Sequence, residues 1–296
     1  MDSQQLEECF MHWTQALQQS TEGKLIAIDG KMLRRSFDKA TGKKAIHLVS
    51  AWVVENQVIL GQVKVDDKSN EITAVPKLLD FINVKGSIIS MDAMECQTAH
   101  AEKIIEKDGD YLFSLKGNQG TLNDEVRLFL NDAKRNEFKD IHYDLVETTE
   151  KGHGRIEIRK YYQTDTVDWF EDRKNWKGLQ SFGMVESTRI IGEESTTETR
   201  YFISSLPCNA DQFAATVRGH WGIENGQHWC LDVGMREDES RIRIGNASEN
   251  YGVLRRIALN LLKKEKTSKR GIRAKSRIAG WSREYLLKVL LNSGGV

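Results

Sequence analysis

The chain has 296 residues, 39% apolar and 8% aromatic, a globular composition that allows a sizeable core in one large or two modest domains. No apolar run approaches the roughly 18 residues of a membrane span, and the first residues lack the basic-then-apolar layout of a secretory signal; a soluble cytoplasmic protein with no membrane partner is expected. The 43 basic and 43 acidic side chains cancel, yet residues 241–288 hold fourteen Lys or Arg against three acids. A basic block beside an acidic body suits a polyanionic partner, although a solvated helical tail would look the same.

Leu6, Phe10, Trp13 and Leu17 fall at helical intervals, so an amphipathic helix over 4–19 opens the chain. The apolar run LIAID reads as a strand ending in Asp29, and runs 43–56 and 57–67 read as a hairpin turning at Asn56 and Gln57. A helix over 70–82 must place Pro76 near its first turn or kink there. A strand at 87–92 ends in Asp92; a helix at 98–109, a fifth strand at 110–117 and a helix at 122–136 follow. Three strands in succession and then alternation predict a mixed α/β sheet covered by helices. Between 141 and 206, four runs rich in β-branched residues read as an all-β insertion. Helical periodicity returns near 210–230 and 246–264, followed by shorter basic helices. Cys9, Cys96, Cys208 and Cys230 form no C-x-x-C pair, which argues against a zinc ribbon, a redox motif and a disulfide framework.

Asp29 and Asp92 each end an apolar strand and precede a small residue, Gly30 or Ala93. On neighbouring strands the two carboxylates would emerge at one sheet edge and call for a cation or proton between them. Taken singly, Asp29 could start a turn and Asp92 could cap the next helix. His220, Glu224 and His228 lie four apart and share a helical face. Gly222 and Gly226 interrupt that helix at about 1 kcal/mol each relative to alanine, which implies close packing; Trp221, Ile223 and Trp229 would pack its core side. The zinc metalloprotease pattern H-E-x-x-H is absent, and two Asp with one Glu favour a hard cation, Mg²⁺ or Mn²⁺, suited to phosphodiester chemistry.

The segments IAIDGK, DDKSNEITAVPKLL, ISMDAMECQ, DYLFSLKGNQG, KGHGRIEIR, YFISS and HWGIENGQHWCLDVGMREDESRIRIGNA, in order, resemble the H-repeat-associated proteins, a group of insertion-sequence DDE transposases. The resemblance implies an RNase H-like fold with a β-rich insertion before the glutamate, and a metal-binding triad of Asp29, Asp92 and Glu224. It divides the chain into an N-terminal helix (1–23), the two parts of the catalytic domain (24–140 and 207–264), the insertion (141–206) and basic C-terminal helices (265–296). Related groups carry Tyr, Arg, Glu and Lys on the glutamate helix where this chain has Val217, His220, Glu224 and Leu231. His228 and Asp232 match the group's HW-LD segment without an assigned role. The group's members carry a longer helical region before IAIDGK, so a shortened N-terminus is expected.

The implied reaction is DNA cleavage and strand transfer. Activated water attacks the phosphodiester at the transposon end, and the released 3′-hydroxyl attacks target DNA. Double-stranded DNA and a homodimer assembled on it are the expected partners. Lys116, Asn118, His153, Arg155, His220, His228, Arg236, Arg241 and Arg243 are candidate DNA contacts, and the C-terminal block adds salt-dependent affinity. Trp169 and Trp176 could stack an unpaired base or fill the β core. The alternatives are a catalytically silent DNA-binding remnant and a metal-dependent nuclease that does not transpose.

Overall fold

The structure, a computed structural model, describes residues 1–17, 23–38, 42, 44–66, 70–152 and 154–291. It divides into two units, Met1–Val84 with His220–Val296, and Lys85–Gly219.

In the first unit, the amphipathic pattern at the start forms helix α1 (Ser3–Leu17). Strands β1 (Leu25–Leu33), β2 (Ile46–Val53) and β3 (Val58–Lys64) pair antiparallel in the order β3-β2-β1. The β2–β3 turn passes through Gln57 in a left-handed conformation, φ 55°. Opposite Ala51 and Trp52 the register slips by one residue, leaving Leu60 as a bulge whose carbonyl accepts the Thr14 hydroxyl of α1. Helix α2 (Glu71–Phe81) carries Pro76 in its interior and buries Ala74, Val75, Leu78 and Leu79.

The second unit begins with β4 (Ile88–Met91), α3 (Thr98–Glu106), β5 (Asp110–Leu115) and α4 (Thr121–Arg135). Leu122, Val126, Leu130 and Ala133 make the buried stripe of α4 at helical spacing. Strands β6 (Tyr143–Gly152), β7 (Arg155–Thr164), β8 (Ser181–Ile191) and β9 (Glu194–Ser204) follow. The strand order is β4-β5-β9-β8-β7-β6, with β4 and β5 parallel and the remaining pairs antiparallel. Phe202, Tyr161 and Val185 pack there against Phe213, Ala214 and Val217 of helix α5 (Ala210–His220).

Back in the first unit, α5 gives way to a wide π-helix over Ile223–His228 and Cys230–Gly234, where one α-helix had been expected as far as 230. Helices α6 (Ala247–Lys264), α7 (Ile272–Trp281) and α8 (Arg283–Leu291) complete the chain. Ile223, Cys230 and Leu231 share a core with Trp52, Ile59, Val253 and Leu259. Asn260 fixes α6 to β3 by accepting from the Ile59 N–H and donating to its carbonyl, both at 2.8 Å. Among the described residues, no helix is long and apolar enough to cross a membrane.

Candidate functional site

In the first unit, β1 carries Asp29 half-buried, in register with Ser50 of β2. Its Oδ1 accepts the Gly30 N–H at 2.8 Å. A Cβ on Gly30 would collide with the Glu71 carboxylate, which is buried and bonded to His47 Nε2 at 2.5 Å. Glycine is therefore needed next to Asp29 so that a second acidic side chain can close over the strand.

The segment bearing Glu224 packs on β2 through its glycines. A Cβ at Gly226 would stand 3.0 Å from the Trp52 ring, and one at Gly222 would stand 3.5 Å from Val54. The π-helix shifts its backbone bonds to i→i+5, a geometry concentrated at functional sites. Glu224 is exposed and His228 half-buried. Trp229 is exposed to 58%, against its expected place in the core, where Ile223 and Leu231 sit instead.

His228 Nδ1 lies 3.7 Å from Asp29 Oδ2, while its buried Nε2 has no hydrogen-bond partner. Burial, reinforced by Arg256 and Lys31, pushes the imidazole down to about 3, so the ring is neutral and the contact is not an ion pair.

Lys31, two residues beyond Asp29 and so on the same strand face, is a residue the sequence reading missed. Its buried ammonium reaches Asp232 at 2.7 Å, Asp238 at 2.9 Å and Glu237 at 3.4 Å. Glu237 in turn holds Arg256 of α6 at 2.9 Å, both side chains being fully buried. Burial opposes charge on Lys31, but Glu237, Asp232 and Asp238 outweigh it and keep its pKa above the ordinary lysine value. Asp232 shifts upward, because burial and the neighbouring acids outweigh its bond to Lys31. The network ties the glutamate-bearing segment to the strand that carries Asp29. The only sequence signals were the adjacency of Lys31 to IDG and the acidic run at 237–239.

In the second unit, Asp92 follows β4 in a turn, and the next helix takes Gln97 as its N-cap, so Asp92 is not the cap. Because β4 and β5 are parallel, Lys116 emerges beyond β5 at the same edge, and its Nζ lies 2.9 Å from Asp92 Oδ2. Asn118 Nδ2 donates to the Ala93 carbonyl at 2.9 Å, and Gln119 bonds the same oxygen. Both sequence-predicted residues of this loop thus hold the Asp92 turn.

The remaining candidates are dispersed. Arg155 opens β7 and pairs with Glu157 at 2.8 Å. Arg236, at φ 53°, bonds Glu239 through Nε at 2.7 Å. Arg243 donates to the Arg35 carbonyl at 3.1 Å and lies over the Phe37 ring. Arg241 is exposed, His220 ends α5, and His153 lies outside the described residues. Trp169 packs with Phe129, Phe170 and Phe182, and Trp176 is buried, so both fill the β core.

Within neither unit do three His, Cys, Asp or Glu side chains among the described residues converge as a metal cluster. The donors nonetheless suit a hard cation. Asp29 offers a partly exposed carboxylate beside a neutral imidazole with an unpaired nitrogen, and the Lys116 ammonium already occupies a cation position on Asp92.

A family model described as "Transposase DDE domain" matches residues 20–261. The Escherichia coli K12 proteins "Putative protein YbfL" and "H repeat-associated putative transposase YhhI" are each 44% identical over 292 residues, covering 97% of this chain and 76% of the relative. "Putative transposase YncI" of Escherichia coli O157:H7 is 43% identical over 294 residues, covering 98% and 75%. A piggyBac transposase synaptic complex with hairpin DNA gives a TM-score of 0.48 at 11% identity, covering 96% of this chain and 54% of that one.

Proposed function

This chain belongs to the transposase DDE domain family, and from that membership we propose that it is an insertion-sequence transposase using Asp29, Asp92 and Glu224 as a divalent-metal triad. An RNase H-like catalytic fold interrupted by a β-rich insertion, with domain limits as read from the sequence, is part of this proposal. So are a cytoplasmic location and action as a homodimer on double-stranded DNA.

The observation that carries the reading is the buried network of Lys31, Asp232, Glu237 and Arg256, which secures the Glu224 segment to the strand bearing Asp29. Buried charge of this kind is expensive unless fully paired; here Lys31 shares its strand with Asp29, and Asp232 follows Glu224 on the π-helix. Mg²⁺ or Mn²⁺ held by Asp29, Asp92 and Glu224 would supply Lewis-acid stabilisation of charge on the phosphate and the leaving oxygen. The protein's own residues prepare the site. His228 stays neutral beside Asp29, so it does not compete as a cation for that carboxylate. Lys116 balances Asp92, and its exposed ion pair is weak enough to be exchanged.

On this reading, water attacks phosphorus at the element's end, the bond to the 3′ oxygen breaks and the oxygen leaves as a hydroxyl. That hydroxyl then attacks a target phosphorus in line, and no covalent protein intermediate forms. The test is cleavage of a labelled duplex carrying the element's end, in Mg²⁺ or Mn²⁺, by the wild type, Asp92→Asn and Glu224→Gln. The expected result is metal-dependent cutting lost in both variants. Binding without cutting by the wild type would overturn it in favour of a silent DNA-binding remnant, and nicking without joined products would reduce it to a nuclease.

A further inference from the structure

In the first unit the end of the π-helix and α7 enclose a cleft of about 600 Å³ whose lining separates into two chemistries. One is apolar and unusually open: Trp281 is 82% exposed and Trp229 58%, in a chain that buries Trp52 and Trp176. Indoles left in water forgo a large burial gain, so two of them on one cleft mark a surface shaped for contact. The other chemistry is cationic. Arg270, Arg273 and Arg277 complete the lining, and none of the described lining residues is a carboxylate.

The arrangement on α7 is selective. Its lysine, Lys275, turns inward and spends its charge on structure, donating to the Leu262 carbonyl at 3.0 Å and lying 3.5 Å from Glu265. Its two arginines stay exposed, four residues apart on one face, where like charges disfavour the helix. They also line a second cleft with Arg236, Arg255 and Tyr251, again without a described carboxylate. Glu239, a carboxylate within the field of Arg273, is already held by Arg236 at 2.7 Å. The surface therefore asks for an anion, and guanidinium groups in preference to ammonium ones suit phosphate.

A partner must satisfy both halves of the lining. An intact duplex offers phosphates to the arginines but hides its base faces from the indoles. An acidic protein helix offers carboxylates but no flat π-surface. An unpaired stretch of DNA offers both, a phosphate at every step and a free base face between phosphates. We propose that this cleft binds an unpaired DNA segment, with a base against Trp281 or Trp229 and its flanking phosphates on Arg270, Arg273 and Arg277. The proposal rests on the reading of DNA as substrate and adds a strand-state preference to it.

The test uses the full chain carrying Asp92→Asn, in chelator, so that binding is read without cutting. Fluorescence anisotropy would compare a short labelled oligothymidylate with a duplex of equal length. Trp281→Ala and Trp229→Ala are each expected to weaken oligothymidylate binding about tenfold, with Trp281→Phe recovering most of it. Duplex binding should change by less than about twofold on the same scale. Arg273→Ala with Arg277→Ala should flatten the salt dependence of oligothymidylate binding by about 1.4 in log–log slope. Equal weakening of duplex and oligothymidylate by Trp281→Ala would overturn the proposal, as would no effect on either. Loss of self-association on gel filtration in Trp281→Ala, with oligothymidylate binding intact, would overturn it too and assign the cleft to a second copy of this chain. A wild type that binds oligothymidylate through the cleft yet never cuts would sink the transposase reading and leave the cleft standing.

Discussion

Replacing Glu7 by Gln should stabilise the protein at neutral and alkaline pH and do little in mild acid. Glu7 lies half-buried on α1, where the Gln62 amide reaches it at 3.4 Å. Burial first, and then repulsion from Glu249, push its carboxyl up to about 7 from 4.5, against the opposing effects of Gln62, Arg256 and Lys64. A carboxyl whose folded pKa exceeds its unfolded one keeps a proton that the unfolded chain has already released. Stability therefore falls as pH climbs from about 4.5 to about 7, and the whole cost is in place above that window. At about 1.4 kcal/mol per pKa unit the cost is at most about 3.5 kcal/mol. Gln keeps the shape and the amide contact without the charge. Thermal melts of wild type and Glu7→Gln at a series of pH values between 5 and 8 should diverge progressively, with the variant several degrees higher at the alkaline end. Parallel melting curves across that range would refute the reasoning, because they would mean that Glu7 is ionised in the fold.

Arg256→Met and Glu237→Gln should each cost about 3–5 kcal/mol, and the double variant less than their sum, since each single change strands a buried charge; a denaturant double-mutant cycle that proved additive would contradict this. Gly226→Ala should destabilise by about 1–3 kcal/mol, because its methyl meets Trp52 at 3.0 Å. Gly222→Ala, in ordinary contact at 3.5 Å and at φ −61°, should be neutral or stabilising; urea midpoints that rank the two in the opposite order would count against the packing argument. A thiol reagent should label exposed Cys9 first. Cys96 should react only on unfolding, since burial, with Glu95 beside it, raises its pKa far above the usual thiol value; mass spectrometry of timed aliquots reads the order directly.

What was legible beforehand was whatever a short window of sequence specifies. The apolar runs at β1, β4 and β5 have the length and bounds of strands, and the β2–β3 hairpin announces itself by two β-branched runs around Asn56 and Gln57. The amphipathic stripes of α1, α4 and α6 were equally plain. The periodicity near 210–230 predicts one α-helix where the structure has an α-helix followed by a π-helix, because residues four apart share a face in either geometry and only the i→i+5 backbone bonds within the helix tell them apart. The same period places Trp229 in the core, and the π-turn leaves it outside. Asp92 looks like a cap because Asp is a good one, whereas five further residues pass before the helix begins at Thr98, with Gln97 as its N-cap. The Lys31 network was illegible for a different reason: its partners lie some two hundred positions apart, and single-sequence periodicity carries no information about such pairs. The order of the carboxylates along the chain, by contrast, could be matched to a family motif without any geometry.

The wide helix makes residue count, not only residue identity, a determinant of this protein. A π-turn accommodates one residue more than its α counterpart at the cost of strained bonding. A residue deleted between Ile223 and His228 that the backbone did not absorb by relaxing to α geometry would rotate everything after it by about 100° about the axis. Trp229, Asp232 and Glu237 would then face other directions although none had been substituted. Alanine scanning would pass over this dependence entirely, whereas a one-residue deletion series, scored for the Lys31–Asp232 contact, would expose it.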